Sequence, residues 1–561
     1  MNLFQKIERK VLRTLESYIG RRFSTRHPNR IEFLLIQAGR PLVKRMIPND
    51  RWSLQVHAKH LVSAARLPCR SLTTDTKNIA LFVSYRGEFA RCLALSAMLA
   101  WRGHRITVLY LPRLQSPSKQ PIGDSPDAGL YLRKALREVN EASGDRICCL
   151  DLSTIALTDD PVNQEFLQTR ASLDTVMALR RESFDPKDPL VSFHLGHYRE
   201  LGNVVQQSMR ALISESSFDL FLVPNGATYA TAHVVNVLKE FGLPFTCFDK
   251  FSVRNSKLIN HGGNIMELND IEAIWKNREG LRLLSGPRLE QCCNVAIHML
   301  DERRRGMVLN WATRTQTGKP FGADAVRASI GLHPSEPFLL IATNVPFDAG
   351  LAEITTIFPS MREWLMETLR CALICGPTRI VVKTHPDESK WSAIETVADI
   401  VQESGLDKSR FIIVDSPLIN AYDLIEASTA GIVFSSTIGL EMAMLGKPVL
   451  LGSKVYYSGK GFTLDSVDQV DYFGKLSSLV KDPMKFQPQL EQTKTAQLYH
   501  YLLHHAAQWP YPFMKPSDLR QNRLHDLLGS KEIERFMPML DALCESRIDE
   551  LISMIEKKQG W

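Results

Sequence analysis

The sequence lacks the features that mark membrane-spanning, secreted and metal-binding chains. No apolar run approaches the roughly 20 residues of a membrane-spanning helix, and the first residues lack the apolar segment and cleavage site of a secretory signal. None of the ten cysteines forms a CxxC pair, and Cys371 and Cys375 are four residues apart. Because zinc sites and disulfide frameworks need characteristic spacings, neither is indicated. We therefore expect a cytoplasmic protein with buried thiols and no metal site.

The chain also has little net charge outside its first 70 residues. Residues 1–70 hold fifteen Lys and Arg against four Asp and Glu, a net charge of +11, which leaves about −4 of the total of +7 for the rest. No interleaved aromatic residues or recognisable binding module accompany this basic segment, so a nucleic-acid partner is not expected. Residues 1–20 predict an amphipathic helix, which can lie on the anionic inner face of a plasma membrane or pack on the protein itself.

What the sequence does contain is an alternation of short apolar strands and helices. Between 379 and 463 we predict strands at 379–384, 431–434 and 449–451 and a helix at 438–445. The same pattern occurs earlier, with strands at 79–84, 106–110, 218–224, 244–248 and 337–342. No GxGxxG follows the first strand, which argues against a dinucleotide. The length of the chain favours two domains with extensions, and the alternation predicts an α/β fold with two Rossmann-like domains.

Polar residues collect where the predicted strands of the second half end. His385 follows the strand at 379–384, and Pro386 keeps it out of helical geometry. Lys383 lies two positions earlier and is expected to point to the same side. Ligands of open α/β sheets bind beyond the carboxyl ends of the strands, so these residues are candidate ligand contacts. A solvated loop histidine explains the same pattern.

A second cluster follows the strand at 431–434. Ser435, Ser436 and Thr437 precede the helix at 438–445, where hydroxyls can cap the helix and its amino terminus favours an anion. Glu441 lies one turn into that helix and can reach a sugar hydroxyl, or merely complement the helix dipole. Lys460 is presented by a glycine-rich loop further along.

The order KTHP, SSTIGLE, GKPV and YSGKGFT resembles the carboxyl-terminal half of bacterial capsule polysaccharide glycosyltransferases of GT-B fold, which include Kdo and polysialic acid transferases. The resemblance extends over about 331–463. In that family an HP motif and a Ser/Thr-rich motif bind the nucleotide sugar, which nominates His385 and Pro386 for the first motif. It nominates Ser435, Ser436 and Thr437 for the second.

The resemblance implies a donor domain in the second half and an acceptor domain in the first. We expect a basic helical extension at 1–70, an acceptor domain at 71–325, a donor domain at 326–480 and helices that pack back at 481–561. Asn344 and Asp348 follow the first strand of the donor domain and are expected to face the cleft.

The acceptor domain offers further candidates at its own strand ends. Asn225 and Gly226 follow the strand at 218–224, and Asp249 follows the next strand. A turn without any role in substrate binding explains Asn-Gly equally well. Glu88 and Asp249 are candidate general bases, although Glu88 at the head of a helix can also be a surface residue that complements the dipole.

Taken together, these features predict transfer of a sugar from a nucleotide-activated donor to a surface or capsular polysaccharide or a lipid-linked glycan. We expect no cofactor; the donor is a substrate, and CMP-linked sugars are the nearest precedent in the family. No DxD flanked by apolar strands is present, which argues against the metal-dependent type. Three alternatives remain: a glycerophosphotransferase that uses CDP-glycerol, a sugar-nucleotide 2-epimerase and a non-catalytic scaffold. The first carries Asp-Tyr-Ser-Ser, whereas Ile432, Val433 and Phe434 precede the serines here.

Overall fold

The computed structural model describes most of the chain from residue 64 to residue 560. The described ranges are 64–67, 76–83, 86–111, 136–157, 161–183, 185–251, 253, 255–306, 322–347, 357–390, 393–407, 410–416, 418–513, 523–545 and 547–560. The predicted amphipathic helix at 1–20 lies outside these residues. Among the described helices, none combines the length and apolarity needed to cross a membrane.

The described strands form two sheets. Their bounds are β1 Asn78–Val83, β2 Arg105–Tyr110, β3 Ile147–Asp151, β4 Leu220–Pro224, β5 Phe245–Asp249, β6 Ser256–His261, β7 Phe338–Ala342, β8 Arg379–Lys383, β9 Phe411–Val414, β10 Ala430–Val433, β11 Val449–Leu451 and β12 Gln508–Pro510. The first sheet has the order β12-β6-β5-β4-β1-β2-β3, and the second has the order β11-β10-β7-β8-β9. We call each sheet with its covering helices a lobe.

Helices connect and cover these strands. Their bounds are α1 Arg86–Trp101, α2 Gln164–Leu179, α3 Pro189–Glu215, α4 Tyr229–Glu240, α5 Asn269–Lys276, α6 Gly286–Arg304, α7 Ala323–Ser329, α8 Met361–Cys375, α9 Asp387–Lys390, α10 Val397–Glu403, α11 Ala421–Ala427, α12 Ile438–Met444, α13 Gln469–Lys481, α14 Leu490–Tyr501, α15 Arg523–Leu528, α16 Met537–Cys544 and α17 Ile548–Gln559.

Both sheets follow the Rossmann pattern predicted from the alternation. Strands β1 to β5 are parallel, with β1 and β4 adjacent in the middle. Strands β7 to β11 are parallel, with β7 and β10 adjacent. Parallel strands buried on both faces carry continuous apolar sequence, as β7 does with FLLIA. The α/β class with two Rossmann-like units is therefore confirmed.

Several elements differ from the sequence prediction. No strand was predicted between those at 106–110 and 218–224, but β3 lies there and pairs with β2. Strands β6 and β12 were also missed, and both add antiparallel to the first sheet. Each lies at or next to a sheet edge, where the apolar pattern is weakest.

The carboxyl-terminal segment returns to the first lobe. Beyond β12, the carbonyl of Cys544 at the end of α16 accepts a hydrogen bond from Lys77 Nζ at 2.6 Å. Asp541 of α16 pairs with Arg102, and the carbonyl of Ala542 contacts His261 Nε2 at 2.9 Å. One buried apolar cluster, which includes Leu81 of β1 and Leu340 of β7, extends from the first sheet to the second.

The cysteines agree only in part with the expectation of buried thiols. Cys148 is exposed, and Cys371 and Cys375 are half-buried, with their Sγ atoms 3.4 Å apart. The thiols of Cys92 and Cys247 are buried, and no disulfide occurs among the described cysteines. Adjacent cysteines in a strand point to opposite faces, which explains why Cys148 is exposed although Cys149 is partly covered.

Candidate functional site

The carboxyl ends of β7, β8 and β10 lie side by side at one edge of the second sheet. Ala342 of β7 pairs with Lys383 of β8 on one side and with Val433 of β10 on the other. The strand order reverses between β7 and β10, because β8 follows β7 on one side and β11 follows β10 on the other. At such a reversal a crevice opens between the carboxyl ends of the two strands. The residues that follow these strands therefore share one edge, and that edge is where an open α/β sheet binds its ligand.

Asn344 and Ser435 meet across this crevice. The backbone N–H of Ser435 donates to Asn344 Oδ1 at 3.3 Å, and Ser435 Oγ lies 3.4 Å from the same oxygen. Thr343 N donates to the carbonyl of Lys383 at 3.1 Å, which ties the ends of β7 and β8 together. The structure thus connects three of the predicted polar strand ends through hydrogen bonds.

Two tyrosines that were not predicted as site residues hold the segment Ser436–Thr437 in place. Tyr457 OH donates to the carbonyl of Ser436 at 2.6 Å, and Tyr456 OH donates to Thr437 Oγ1 at 3.1 Å. Burial raises the pKa of both phenols, so they remain neutral donors. Thr437 makes no side-chain cap to α12, contrary to the prediction, because its backbone is helical rather than extended; its hydroxyl accepts from Tyr456 instead. Adjacent tyrosines beside a glycine loop were the available signal.

His385 lies at the same edge, two strands from Ser435. Strands are spaced by about 4.8 Å, so backbones two strands apart are separated by roughly 10 Å. The half-buried imidazole accepts a hydrogen bond at Nδ1 from Asp387 N at 3.1 Å. A neutral ring whose Nδ1 accepts must carry its proton on Nε2. His385 is therefore set up to donate a hydrogen bond to an anion from Nε2. The neighbouring Pro386 is half-buried at the same turn.

Lys383 was predicted to point into the crevice, but its side chain does not. Its ammonium donates to the carbonyls of Val414 and Ser416 at 3.4 and 3.2 Å, beyond the end of β9. Burial lowers the pKa of Lys383 to about 8, despite the nearby carboxylates of Asp415 and Glu388. Side chains alternate between the faces of a strand, so Lys383 and the loop residue His385 need not share a direction once β8 has ended.

Glu388 was missed by the sequence analysis and lies directly behind the histidine turn. Its carboxylate accepts from Val397 N at 3.0 Å and from the backbone of His385, and its own N–H donates to the carbonyl of His385 at 3.0 Å. Burial raises the pKa of Glu388 to about 7, against the lowering effect of these N–H groups. An acidic residue three positions after a histidine does not by itself predict a buried carboxyl group, because many acidic residues lie on the exposed faces of helices.

Glu441 is not open to a sugar hydroxyl in this structure. Its side chain is 3% exposed. One oxygen pairs with Arg303 Nη1 at 2.5 Å, and the other accepts from Tyr422 OH at 3.0 Å. Burial alone would lower the pKa of Arg303, but the Glu441 carboxylate raises it above its ordinary value. The helix that carries Glu441 is packed on α14, which places this face of α12 in the interior.

Lys460 is likewise not presented to the crevice. Its ammonium pairs with Glu272 Oε2 of α5 at 2.5 Å and lies 5.9 and 5.8 Å from the ring centroids of Trp275 and Tyr499. The lysine therefore connects the glycine-rich loop of the second lobe to the first lobe. Long cationic side chains at interfaces combine aromatic contact with an ion pair in this way.

The first sheet brings Asn225, Gly226 and Asp249 together. Asn225 Nδ2 donates to Asp249 Oδ2 at 2.9 Å, so the ends of β4 and β5 are linked. Asn225 and Gly226 have φ values of 64° and 79°. A Cβ at Gly226 would lie 2.6 Å from Cys247 Sγ, so glycine is required there. This strained turn lies beside β1, where the strand order reverses.

The remaining first-lobe candidates lie away from this turn or beyond the described atoms. His233 of α4 is 1% exposed and interacts through Nδ1 with Gln206 Nε2 at 3.3 Å. Burial lowers its pKa to about 3, so it is a neutral core residue. Glu88 falls within α1, but its side chain lies outside the described residues, as does all of Asp348. Where the chain is described, no three His, Cys, Asp or Glu side chains group as a metal site would require.

The fold and this crevice define a two-lobed α/β protein of the GT-B type. Residues 314–475 match the model of a family described as "Capsule polysaccharide biosynthesis protein", so the resemblance predicted from the motifs is confirmed for that part of the chain. The match contains β7 to β11 and the polar strand ends of the second sheet.

Solved structures align with larger parts of the chain at low identity. The β-Kdo 2,4-transferase KpsC of Thermosulfurimonas dismutans is 17% identical over 50% of this chain and 79% of its own, with a TM-score of 0.32. The MnaA–UDP structure of S. aureus is 12% identical over 82% and 96%, with a TM-score of 0.25. The wall teichoic acid polymerase TagF is 11% identical over 86% and 95%, with a TM-score of 0.21. None of the curated proteins matches the chain.

Proposed function

We propose that the protein is a glycosyltransferase that moves a sugar from a nucleotide-activated donor to a capsular or related surface polysaccharide. The observation that carries the proposal is the set of hydrogen-bonded polar groups at the level ends of β7, β8 and β10, within the segment that matches the capsule family. Such a crevice suits a nucleotide, whose phosphates need several donors from backbone and side chains.

The leaving phosphate is stabilised by neutral and backbone donors in this proposal. His385 donates from Nε2, and Ser435, Ser436 and Thr437 supply hydroxyls and backbone N–H groups on the other side of Asn344. Donors that are held in place before the reaction stabilise developing charge most effectively. Tyr456 and Tyr457 keep the Ser436–Thr437 segment in position. In this proposal the reaction needs no metal ion, because these hydrogen bonds stabilise the developing negative charge that a cation would otherwise stabilise.

The acceptor hydroxyl loses its proton to a carboxylate of the first lobe. Asp249 is the best placed of the described candidates, since it lies half-buried at the end of β5 and is oriented by Asn225 Nδ2 and by Lys250 N at 2.7 Å. A general base must be fixed within reach of the hydroxyl, and these two contacts hold the carboxylate while leaving it accessible.

Binding of nucleotides tests the donor half of the proposal. In a thermal shift titration with CMP, UDP, GDP and CDP-glycerol, we expect one of the sugar-donor nucleotides to raise the unfolding temperature. His385→Ala and Ser435→Ala should each lower the affinity for that nucleotide by roughly tenfold or more, because a hydrogen bond to a charged group contributes about 1.5–3 kcal/mol. His333→Ala is the matched control, since His333 is exposed in the same lobe and bonds only locally to Ser335.

Two results would contradict the proposal. Turnover of CDP-glycerol would favour the glycerophosphotransferase alternative, and conversion of a nucleotide sugar without an acceptor would favour the 2-epimerase. Equal effects of the His385 and His333 variants would remove His385 from the site.

We further propose that the acceptor is linked to a lipid and that residues 1–20 hold the enzyme at an anionic membrane surface. The basic composition of residues 1–70 supports this, because clustered Lys and Arg are attracted to anionic lipids. Deletion of residues 1–20 should move the protein from the membrane pellet to the supernatant while the nucleotide-dependent thermal shift is retained. Unchanged sedimentation would disprove the membrane role.

A further inference from the structure

The two lobes are joined by a set of reciprocal carboxylate contacts that the proposed chemistry does not use. On the first lobe they involve residues 180–183, which follow α2. On the second lobe they involve the first residues of α8 and the segment 394–395. We call these residues together the interlobe clasp. The hydrogen bonds that cross between the lobes join positions that are more than 170 residues apart in sequence.

Glu182 of the first lobe sits on the amino terminus of α8. Its two oxygens accept from Met361 N and Arg362 N, both at 2.8 Å. The first N–H groups of a helix have no partner within the helix. The hydroxyl of the cap residue Ser360 accepts a hydrogen bond from Glu363 N at 3.0 Å. Glu182 therefore accepts from two further N–H groups that this cap does not reach. A carboxylate is also favoured by the dipole at that end of a 15-residue helix.

Glu395 of the second lobe makes the reciprocal contacts. Its Oε2 accepts from Glu182 N at 2.8 Å and from Ser183 N at 3.1 Å, and its Oε1 accepts from Ser183 Oγ at 2.7 Å. Oε1 also pairs with Arg362 Nη1 at 2.8 Å. In addition, Ile394 N donates to the carbonyl of Arg180 at 3.1 Å. Each lobe therefore offers one carboxylate to backbone N–H groups of the other.

The clasp is continuous with the turn that carries His385. Ala393 N donates to the carbonyl of Glu388 at 2.8 Å, and Val397 N donates to the Glu388 carboxylate, so both ends of the segment that holds Glu395 are tied to Glu388. Glu388 N in turn donates to the carbonyl of His385. A shift of Glu395 relative to the first lobe would therefore be transmitted to the histidine turn through backbone hydrogen bonds.

We propose that Glu182 and Glu395 are positioning residues that hold the acceptor lobe closed against the donor lobe. This inference rests on the proposed glycosyl transfer. A closed cleft brings the acceptor hydroxyl into line with the donor and keeps water from taking its place. The clasp then determines whether the sugar passes to the acceptor or is lost to hydrolysis, without contacting either substrate.

The test uses the full-length protein and the variants Glu182→Ala and Glu395→Ala. Glu403→Ala is the matched control, because Glu403 pairs with the same Arg362 at 2.6 Å within the second lobe and is 62% exposed. Hydrogen exchange is measured on peptides that contain residues 180–183, 360–363 and 393–396. In both clasp variants we expect all three peptides to exchange at least tenfold faster, whereas the control should match the wild type.

Kinetics separate positioning from a general loss of structure. In the clasp variants the KM for the acceptor should rise and the ratio of transfer to hydrolysis should fall by roughly tenfold. The affinity for the nucleotide should stay within twofold, because the nucleotide site lies in one lobe. Unchanged exchange in both variants, or an equal loss of nucleotide and acceptor binding, overturns the proposal. If the wild type turns over no nucleotide sugar, the proposed function fails, while the exchange measurements still decide whether the clasp exists.

Discussion

At the scale of single residues, the structure distinguishes polar side chains that face the crevice from those that support it. Asn344, Ser435 and His385 lie at the strand ends, whereas Glu441, Lys383 and Lys460 are engaged in buried or interlobe contacts. A sequence shows which residue types are present near a strand end. It does not show which partner each long side chain selects, because that partner comes from a distant part of the chain.

The buried pair of Glu441 and Arg303 gives a prediction about stability. Removing one partner leaves a buried charge without its counterion, which costs about 3–5 kcal/mol. Glu441→Ala should therefore lower the free energy of unfolding by about 3–5 kcal/mol. Urea titrations followed by tryptophan fluorescence measure this loss. Glu426→Ala is the control: Glu426 pairs with Arg304 but is 49% exposed, and exposed pairs contribute below about 1 kcal/mol. Similar losses in the two variants would show that the Glu441 pair is not effectively buried.

At the scale of elements, α12 depends on close contact between its first turn and the neighbouring loop. A Cβ at Gly439 would lie 2.4 Å from Tyr457 OH and 2.8 Å from Val433 Cγ2. Tyr457 OH also holds the carbonyl of Ser436. The glycine therefore lets the helix approach the tyrosine that supports the Ser436–Thr437 segment.

Substituting this glycine should disturb stability and ligand binding together. Gly439→Ala forces Tyr457 or β10 to move, and overpacking of this kind costs about 1–3 kcal/mol. Gly474→Ala in α13 is the control, because its Cβ would meet nothing within 4 Å, and it should be neutral or stabilising by up to ~1 kcal/mol. We expect only Gly439→Ala to weaken the nucleotide-dependent thermal shift. Retention of the full shift in that variant would separate α12 from the site.

At the scale of the whole molecule, the first lobe is completed by residues from the far end of the chain. β12 adds to the edge strand β6, with Trp509 opposite Lys257. Trp509 is 1% exposed, and Lys558 of α17 lies 4.2 Å from its ring centroid. Trp509→Ala should cost about 3–5 kcal/mol through the cavity it leaves, whereas Val470→Ala, at an 83% exposed position, should have little effect. Urea unfolding measures both, and equal midpoints would show that β12 contributes little.

Closure of the two lobes should also depend on pH through Glu182. Burial raises the pKa of Glu182 to about 7; the charge of Glu395 adds to this rise, while Arg362 and the N–H groups of α8 oppose it. In an open arrangement the carboxyl would return toward its ordinary value of 4.5. The closed state then binds a proton more tightly than the open state, so lowering the pH from 8 to 6 favours closure. The stability that the raised pKa adds to the closed state is fully present below about pH 4.5 and is lost as the pH rises through about 7.

Hydrogen exchange of residues 360–363, corrected for intrinsic rates, measures this pH effect. We expect stronger protection at pH 6 than at pH 8 in the wild type. Glu182→Gln, which cannot ionise, should show a smaller difference between the two pH values. The same pH difference in that variant would assign the effect to another group.

Local pattern determined the elements that carry the site. Strands such as β7 and β10 were predicted to within one or two residues, because parallel strands buried on both faces are written as continuous apolar runs. The polar residues that follow these strands could be predicted as well, since a parallel sheet places all of its carboxyl ends at a common edge. The motifs in order also identified the capsule family over the segment that matches it.

Tertiary structure alone decided which polar groups remain available and what joins the lobes. Glu441 pairs with Arg303 of α6, and Lys460 pairs with Glu272 of α5, so neither faces the crevice. The amino terminus of α8 binds Glu182 from the other lobe. Each of these contacts joins residues more than 130 positions apart, and a long charged side chain in a folded protein takes the nearest partner in space. Periodicity and spacing describe neighbours along the chain, so they determined the framework of this protein, while the pairing of its charges was set only when the chain folded.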